Sequence, residues 1–325
     1  NFSSSWTVNS IANKMELMDG YDFVKLQTEI YDLNNATNPY LKVTEADKAA
    51  GIDSYTVEDY RNLPSTDWQD EIYRTALTQN YSLSVSGGSK EIGNRYNVSF
   101  SAVDQDGIIV NSNFQRYQGK MNFHQNFGKR VYMDLLVNYS HSATSGVTPT
   151  DAQNGSVASG WLMYSVWAYR PLKPIAQTGE DVLEDTLIDD DVTGANDYRF
   201  NPAKTVRNEH RKTIVDYLNS NASLTWEIVD DLKLKISGGY SMNKRTREVF
   251  NGSETYSGYP GSSSGKGVNG AIYWTSKTSW INENTLTWVK RINKAHNFNI
   301  MGGFTMQGED YKYHGTSATQ ITAES

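Results

Sequence analysis

The residues of this 325-residue chain whose types could do chemistry fall into an aromatic set and an acidic run. Trp161, Tyr164, Trp167 and Tyr169 lie close together, and aromatic faces stack on sugar rings or peptide side chains, so these four are the candidate substrate-binding residues. Their spacing of three, three and two is also partly helical, and a short helix packing within a loop is the competing reading. The run Asp189-Asp190-Asp191-Val192-Thr193-Gly194-Ala195-Asn196-Asp197 sets oxygen-bearing side chains at positions one, three, five and nine with Gly at six, as a Ca²⁺ loop does. Asp189, Asp191, Thr193 and Asp197 are therefore the candidate metal ligands, and Ca²⁺ is the one candidate cofactor. Phe200 stands where such a loop has its bidentate Glu, which favours a solvated acidic loop instead.

Catalytic constellations do not emerge. The five histidines, at 124, 141, 210, 296 and 314, are scattered without ligand spacing, and there is no Cys to act as nucleophile, thiolate ligand or disulfide partner. The Gly-rich segment 259–267 lacks the strand-to-helix context of a phosphate cradle and reads as a loop. No catalytic residue is assigned and no enzyme activity is expected. A net charge of −7, with no Lys/Arg-rich face, argues against nucleic acid as a partner.

The elements that carry these residues are strands. Only 38% of the chain is hydrophobic, yet Tyr (21) and Trp (8) are plentiful and apolar residues recur at every second position. Tyr81, Leu83 and Val85 alternate with Ser82, Ser84 and Ser86. Tyr96, Val98, Phe100 and Ala102 alternate with Asn97, Ser99 and Ser101. The rhythm continues through Tyr117, Met121 and Phe123, through Val131 to Tyr139, Ala222 to Ile228, Leu232 to Ile236 and Phe298 to Met306, with weaker cases at 1–12 and 271–290. This makes about nine strands of roughly ten residues, the length that crosses a bilayer when tilted.

The links alternate as well. Residues 89–93, 127–129, 229–231 and 291–295 are short turns, whereas 13–78, 141–213 and 245–270 are long loops and 104–114 is intermediate. Transmembrane barrels have this asymmetry, with short periplasmic turns and long extracellular loops. Trp6, Tyr81, Tyr139, Trp226 and Trp288 then fall near strand ends as interfacial girdles. A soluble β-sandwich, with the same stripes facing a core, is the alternative. Loop 13–78 is expected to carry a helix capped by Asp19 with Phe23, Leu26, Ile30 and Leu33 on its apolar face, and a second short helix over 67–75. No run approaches the ~18 consecutive apolar residues of a membrane helix. The chain opens at Asn1 in strand-like sequence without Met or signal peptide, so a piece of a longer protein is expected.

The segment Thr66-Asp67-Trp68-Gln69-Asp70-Glu71-Ile72-Tyr73-Arg74-Thr75-Ala76, continuing through Gln79-Asn80 to Leu83-Ser84-Val85-Ser86-Gly87-Gly88, resembles SusC/RagA-type TonB-dependent outer-membrane transporters of the Bacteroidota. So do Tyr96-Asn97-Val98-Ser99, Asp104-Gln105-Asp106-Gly107-Ile108-Ile109, Phe114-Gln115-Arg116-Tyr117 and the earlier Leu17-Met18-Asp19-Gly20-Tyr21-Asp22-Phe23. The likeness covers roughly residues 1–140; Leu77 and Tyr81 stand where the family has Pro and His. It implies an all-β, antiparallel transmembrane barrel, of which residues 1–325 are the N-terminal part, without the plug and remaining strands. Nine strands are too few to close a plugged barrel of about 22.

The resemblance further implies nutrient uptake across the bacterial outer membrane, of oligosaccharides or peptides. The implied partners are outer-membrane lipid, a SusD-like surface lipoprotein, and TonB-ExbB-ExbD acting through the absent plug. The rival reading is a secreted carbohydrate-active β-protein, glycan-binding or hydrolytic. A hydrolase needs two carboxylates facing one cleft, and here Asp and Glu concentrate in loops and turns.

Overall fold

The computed structural model describes residues 1–147, 162–177, 200–261, 266–292 and 296–322. They form one antiparallel sheet whose nine strands lie in chain order: β1 (Phe2–Asn9), β2 (Ala76–Ser89), β3 (Asn94–Asp106), β4 (Asn113–Phe127), β5 (Val131–Ser145), β6 (Glu209–Val229), β7 (Leu232–Asn251), β8 (Asn269–Ile292) and β9 (His296–Ala318). Among the described residues β1 and β9 are edges, each paired on one side only. The number and order of strands and the alternation of short and long links are as expected. The lengths differ, because β6–β9 run to 20–24 residues rather than ten. Past the apolar stripe the outer positions become Lys244, Thr246 and Glu248, so alternation fades while backbone pairing continues. At ~3.4 Å per residue, 24 residues span about 80 Å, far more than a membrane's apolar thickness even at a steep tilt.

The register carries each stripe across the whole sheet. Gly87, Tyr96, Phe123, Leu135, Ala222, Gly238, Asn282 and Met306 are successive cross-strand partners on one face. Ser99, Lys120, Asn138, Asn219, Ser241, Ser279 and Glu309 are partners on the other. The apolar face is bare: Leu83 is 49% exposed and Phe304 59%. Three cavities lie mainly against residues of the polar face, which is therefore concave. That arrangement is inside-out relative to a soluble sandwich, whose apolar stripes would be covered.

The buried core lies in the links on the long-loop side. These carry α1 (Gly20–Leu33), α2 (Glu45–Ala49), α3 (Trp68–Ile72), α4 (Leu162–Ala168) and α5 (Pro202–Asn208). One cluster joins Trp68 and Ile72 of α3, Ile109 of the β3–β4 link, Leu162, Met163 and Val166 of α4, Tyr169, and Ala203 and Val206 of α5. A second joins Phe23 and Val24 to Tyr40, Tyr60 and Leu172. Neither cluster contains a strand residue.

Helices α1, α3 and α5 start where a polar side chain takes up a free N–H. Asp19 accepts from the Asp22 amide at 2.9 Å, Asp67 from Gln69 at 2.9 Å and Asn201 from Lys204 at 3.1 Å, with Pro202 following in the first turn. The buried face of α1 differs from expectation. Gly20, Phe23, Val24, Gln27 and Tyr31 face the core, while Leu26, Ile30 and Leu33 are exposed. Gly20 sits against Leu172 and Ser65 so closely that a Cβ would clash, and that approach sets the rotation of the helix.

Candidate functional site

The long-loop end of the concave face combines a polar wall with the helical layer above it, and two of the segments that carry the family resemblance meet where they join. The Arg74 amide donates to Ile108 O at 2.8 Å, the Val110 amide to Ile72 O at 3.0 Å, and Tyr73 bridges Ile109. The Arg74 guanidinium donates to Gly107 O at 3.0 Å and Ser112 O at 2.9 Å, and lies 3.4 Å from the Asp106 carboxylate. The segments 66–76 and 104–109 are thus a structural latch that fastens α3 to the β3–β4 link, with Ile72 and Ile109 in one core.

The two longest links are also stitched to each other. The Trp68 indole donates to Arg170 O at 2.9 Å and meets the Tyr169 ring edge-on at 5.2 Å. The Tyr60 hydroxyl donates to Tyr40 O at 2.7 Å and accepts from the Ile175 amide at 2.7 Å, and burial pushes its pKa up to about 12. At the rim of this layer, Arg61 and Tyr21 both hydrogen-bond the Glu58 carboxylate. Arg61 in particular holds it down at about 2, while its guanidinium lies 4.0 Å over the Tyr21 ring.

The expected substrate residues divide. Tyr164 and Trp167 fall on α4 and Tyr169 just after it, so the helical reading of their spacing describes the local structure. Tyr169, 3% exposed, is spent on packing against Trp68. Trp167 is exposed and borders a cavity of about 470 Å³ beside Leu17, Met18 and Leu26. Trp161 lies outside the described residues, as do the calcium candidates Asp189, Asp191, Thr193 and Asp197. Phe200, at the twelfth position of that loop, is buried and packs edge-on to Tyr256 at 4.6 Å. Among the described residues no cluster of three or more His, Asp or Glu could hold a metal ion.

The wall itself is polar and mixed in charge. Toward the short-turn end, His124 hydrogen-bonds Asp134 at 2.7 Å and Asn126 at 3.0 Å, and with Arg95, Lys235 and Glu283 borders a cavity of about 550 Å³. Higher up, Lys277 pairs with Glu309 at 3.0 Å. Period two sets these groups on the inner face, as it sets Lys120 and His124 opposite Met121 and Phe123, but which of them stand side by side depends on strand register and has no local signal in the sequence. On the opposite face, the Trp6 indole donates to the Tyr81 hydroxyl at 3.2 Å and Tyr139 donates to Asp216 at 2.7 Å, with Trp226 and Trp288 near the short turns. Between Leu218, paired to Tyr139, and Trp226 the strand rises about 27 Å, or roughly 20 Å at a 45° tilt, close to the apolar band of a transmembrane barrel. No described helix is long and apolar enough to cross a membrane.

No family model matches the chain. It is similar to TonB-dependent receptor P3 of Formosa agariphila, 29% identical over 278 residues covering 85% of this chain and 26% of that protein. Over 63 residues it is 40% identical to TonB-dependent receptor SusC of Bacteroides thetaiotaomicron, covering 19% of this chain and 6% of that protein. Among solved structures, the RagAB peptide importer in its 'closed-closed' state aligns over 99% of this chain and 36% of that one, with a TM-score of 0.67 at 19% identity. The 'open-open' state aligns over 97% of this chain and 35% of that one, at 0.65 and 19%. The resemblance to SusC/RagA transporters therefore holds in sequence, and the antiparallel barrel-wall architecture holds in fold. The chain spans about a quarter of the length of the first of these relatives, 26%.

Proposed function

We propose that this chain, alike in sequence to TonB-dependent receptors and in fold to a RagAB barrel, is part of the wall and mouth of an outer-membrane nutrient importer. The observation that carries the reading is the inverted sheet. An exposed apolar face with aromatics toward both ends suits lipid, and a concave polar face suits a solute path. A secreted carbohydrate-active protein would have to leave Leu83, Phe100, Leu224 and Ile236 in water.

In this reading the loop helices and a SusD-like surface lipoprotein bind ligand outside the cell. Force from TonB-ExbB-ExbD on a plug contributed from beyond this chain then opens the lumen. The preferred cargo is an oligosaccharide, with Trp167 offering a stacking face at the mouth, and peptides are second. The RagAB likeness supports a peptide-sized lumen without selecting the cargo. The test is to fractionate cells making the full-length protein and to measure uptake of labelled oligosaccharides and peptides with and without TonB. Detergent-dependent recovery from the outer membrane and TonB-dependent uptake are expected. Release into the soluble fraction without detergent would overturn the reading.

A further inference from the structure

On the concave face near the long-loop ends of β6–β9 stands a group of residues that neither the latch nor the helical core uses. Arg245 lies between Val215 and Thr275, and Arg247 between Thr213 and Tyr273, so both project from the polar face of β7. Both are exposed, and no ion pair of the described residues involves either. Arg211, by contrast, is held by Glu209 and nearly covered. These arginines border a cavity of about 740 Å³ together with Asn251, Tyr273 and Tyr313. The two tyrosine rings are stacked, centroids 6.2 Å apart and planes 18° off parallel. Asn251 is 3% exposed; its Nδ2 donates to Asn269 Oδ1 at 2.9 Å, and its Oδ1 is a buried acceptor with no partner.

Each group specifies part of a ligand. A guanidinium only donates and prefers carboxylate or sulfate oxygens, which it can bind in a two-pronged fashion. An amide oxygen only accepts, so Asn251 requires an O–H or N–H that an anionic group does not supply. The tyrosine pair offers an apolar ring surface with polar edges. A molecule answering all three carries negative charge, hydroxyl donors and flat C–H faces together.

We propose that this cavity is a binding subsite for an anionic oligosaccharide, its carboxylate or sulfate groups held by Arg245 and Arg247 and a hydroxyl donating to Asn251. The proposal rests on the importer reading and adds a substrate class to it. It also places selection for charge on the wall rather than on the loop helices.

The experiment uses the full-length protein in detergent, titrated with trigalacturonate, its uncharged methyl ester, a sulfated galactan tetramer and a triglutamate peptide. At least one acidic sugar should bind about tenfold or more tighter than the uncharged ester, and the arms separate carboxylate from sulfate. Raising salt from about 0.05 to about 0.5 M should erase most of that margin. The double variant Arg245→Gln/Arg247→Gln should bind acid and ester alike, and Asn251→Leu should weaken both. Heat-modifiable migration of each variant checks that the barrel has assembled, and the salt titration tests the native protein independently of any variant. Equal binding of acid and ester, binding of no sugar, preference for triglutamate, or an unchanged preference in the double variant would overturn the proposal. Loss of the protein from the outer-membrane fraction would instead overturn the importer reading beneath it.

Discussion

The sheet and the loop layer solve opposite solvent problems within one chain. In the loop layer, Trp68, Ile72, Val166 and Val206 are buried to 1% or less, and helix caps and ring contacts enclose them as in a small soluble domain. In the sheet, apolar residues of similar size stand half exposed on the outer face, while the inner face is lined with Ser, Asn, Lys and Arg. Apolar burial against neighbouring side chains stabilises the first; continuous backbone pairing stabilises the second, whose outer face the proposed membrane setting would cover with lipid. One consequence is that a side chain's identity says little until its layer is known. Tyr169 is core because α4 folds over α3, while Tyr139, on the outer face of β5, stays 43% exposed.

The largest effect that tests this division is expected from Trp68→Ala. Removing the central ring of the loop core should cost that layer about 3–5 kcal/mol, seen as rapid hydrogen exchange and proteolysis across 10–75 and 162–177. The barrel's heat-modifiable migration should persist; its loss would show that the layers fold as one unit.

Next come two adjacent leucines of β5. Leu135 lies on the outer apolar stripe midway between Tyr139 and Val131, and Leu136 faces the concave side. Leu135→Arg should cost about 2–4 kcal/mol in urea titrations of protein refolded into vesicles, and Leu136→Arg close to nothing. Equal costs would break the assignment of faces.

A smaller effect is expected at the caps. Asn201→Ala should cost about 1 kcal/mol, because the Lys204 amide loses its acceptor at a buried helix start. The same hydrogen-exchange experiment should show it confined to α5 and its neighbours α3 and α4.

The smallest is a pH response. The Glu58 carboxyl is depressed to about 2 by Arg61 and Tyr21. A group lowered in the folded state contributes stability that is full above its ordinary value of 4.5 and is lost as pH falls through about 2. A carboxyl-carbon NMR titration should give that low midpoint, and Arg61→Gln should return it toward 4.5. A native midpoint near 4.5 would mean that the pairing of Glu58 with Arg61 is absent in solution.

Legibility in the sequence followed the same division. Strand number and the division of each strand into an apolar and a polar set were readable because period two is a local property, as Leu83 against Ser84 shows; which set lies on the concave side was not. Strand ends were less readable: past Tyr240, outer positions such as Lys244 and Glu248 are as polar as inner ones, and only pairing shows that the strand continues. The α1 cap was legible at Asp19, but the helix's rotation was not. Leu26, Ile30 and Leu33 look like a core face until the contact of Gly20 with Leu172, 152 positions away in the sequence, turns the other side inward.

The sequence by itself determined the antiparallel sheet, the side on which its long links lie, and the family likeness carried by residues 66–109, because alternation, turn length and motif are written in neighbouring positions. Only the tertiary structure decided that those motif residues form a latch and that Tyr169 is core. It alone brought Arg245, Arg247, Asn251, Tyr273 and Tyr313 to one cavity. The physical reason is register: pairing between strands far apart in the chain sets which side chains stand side by side, and no local pattern encodes that alignment.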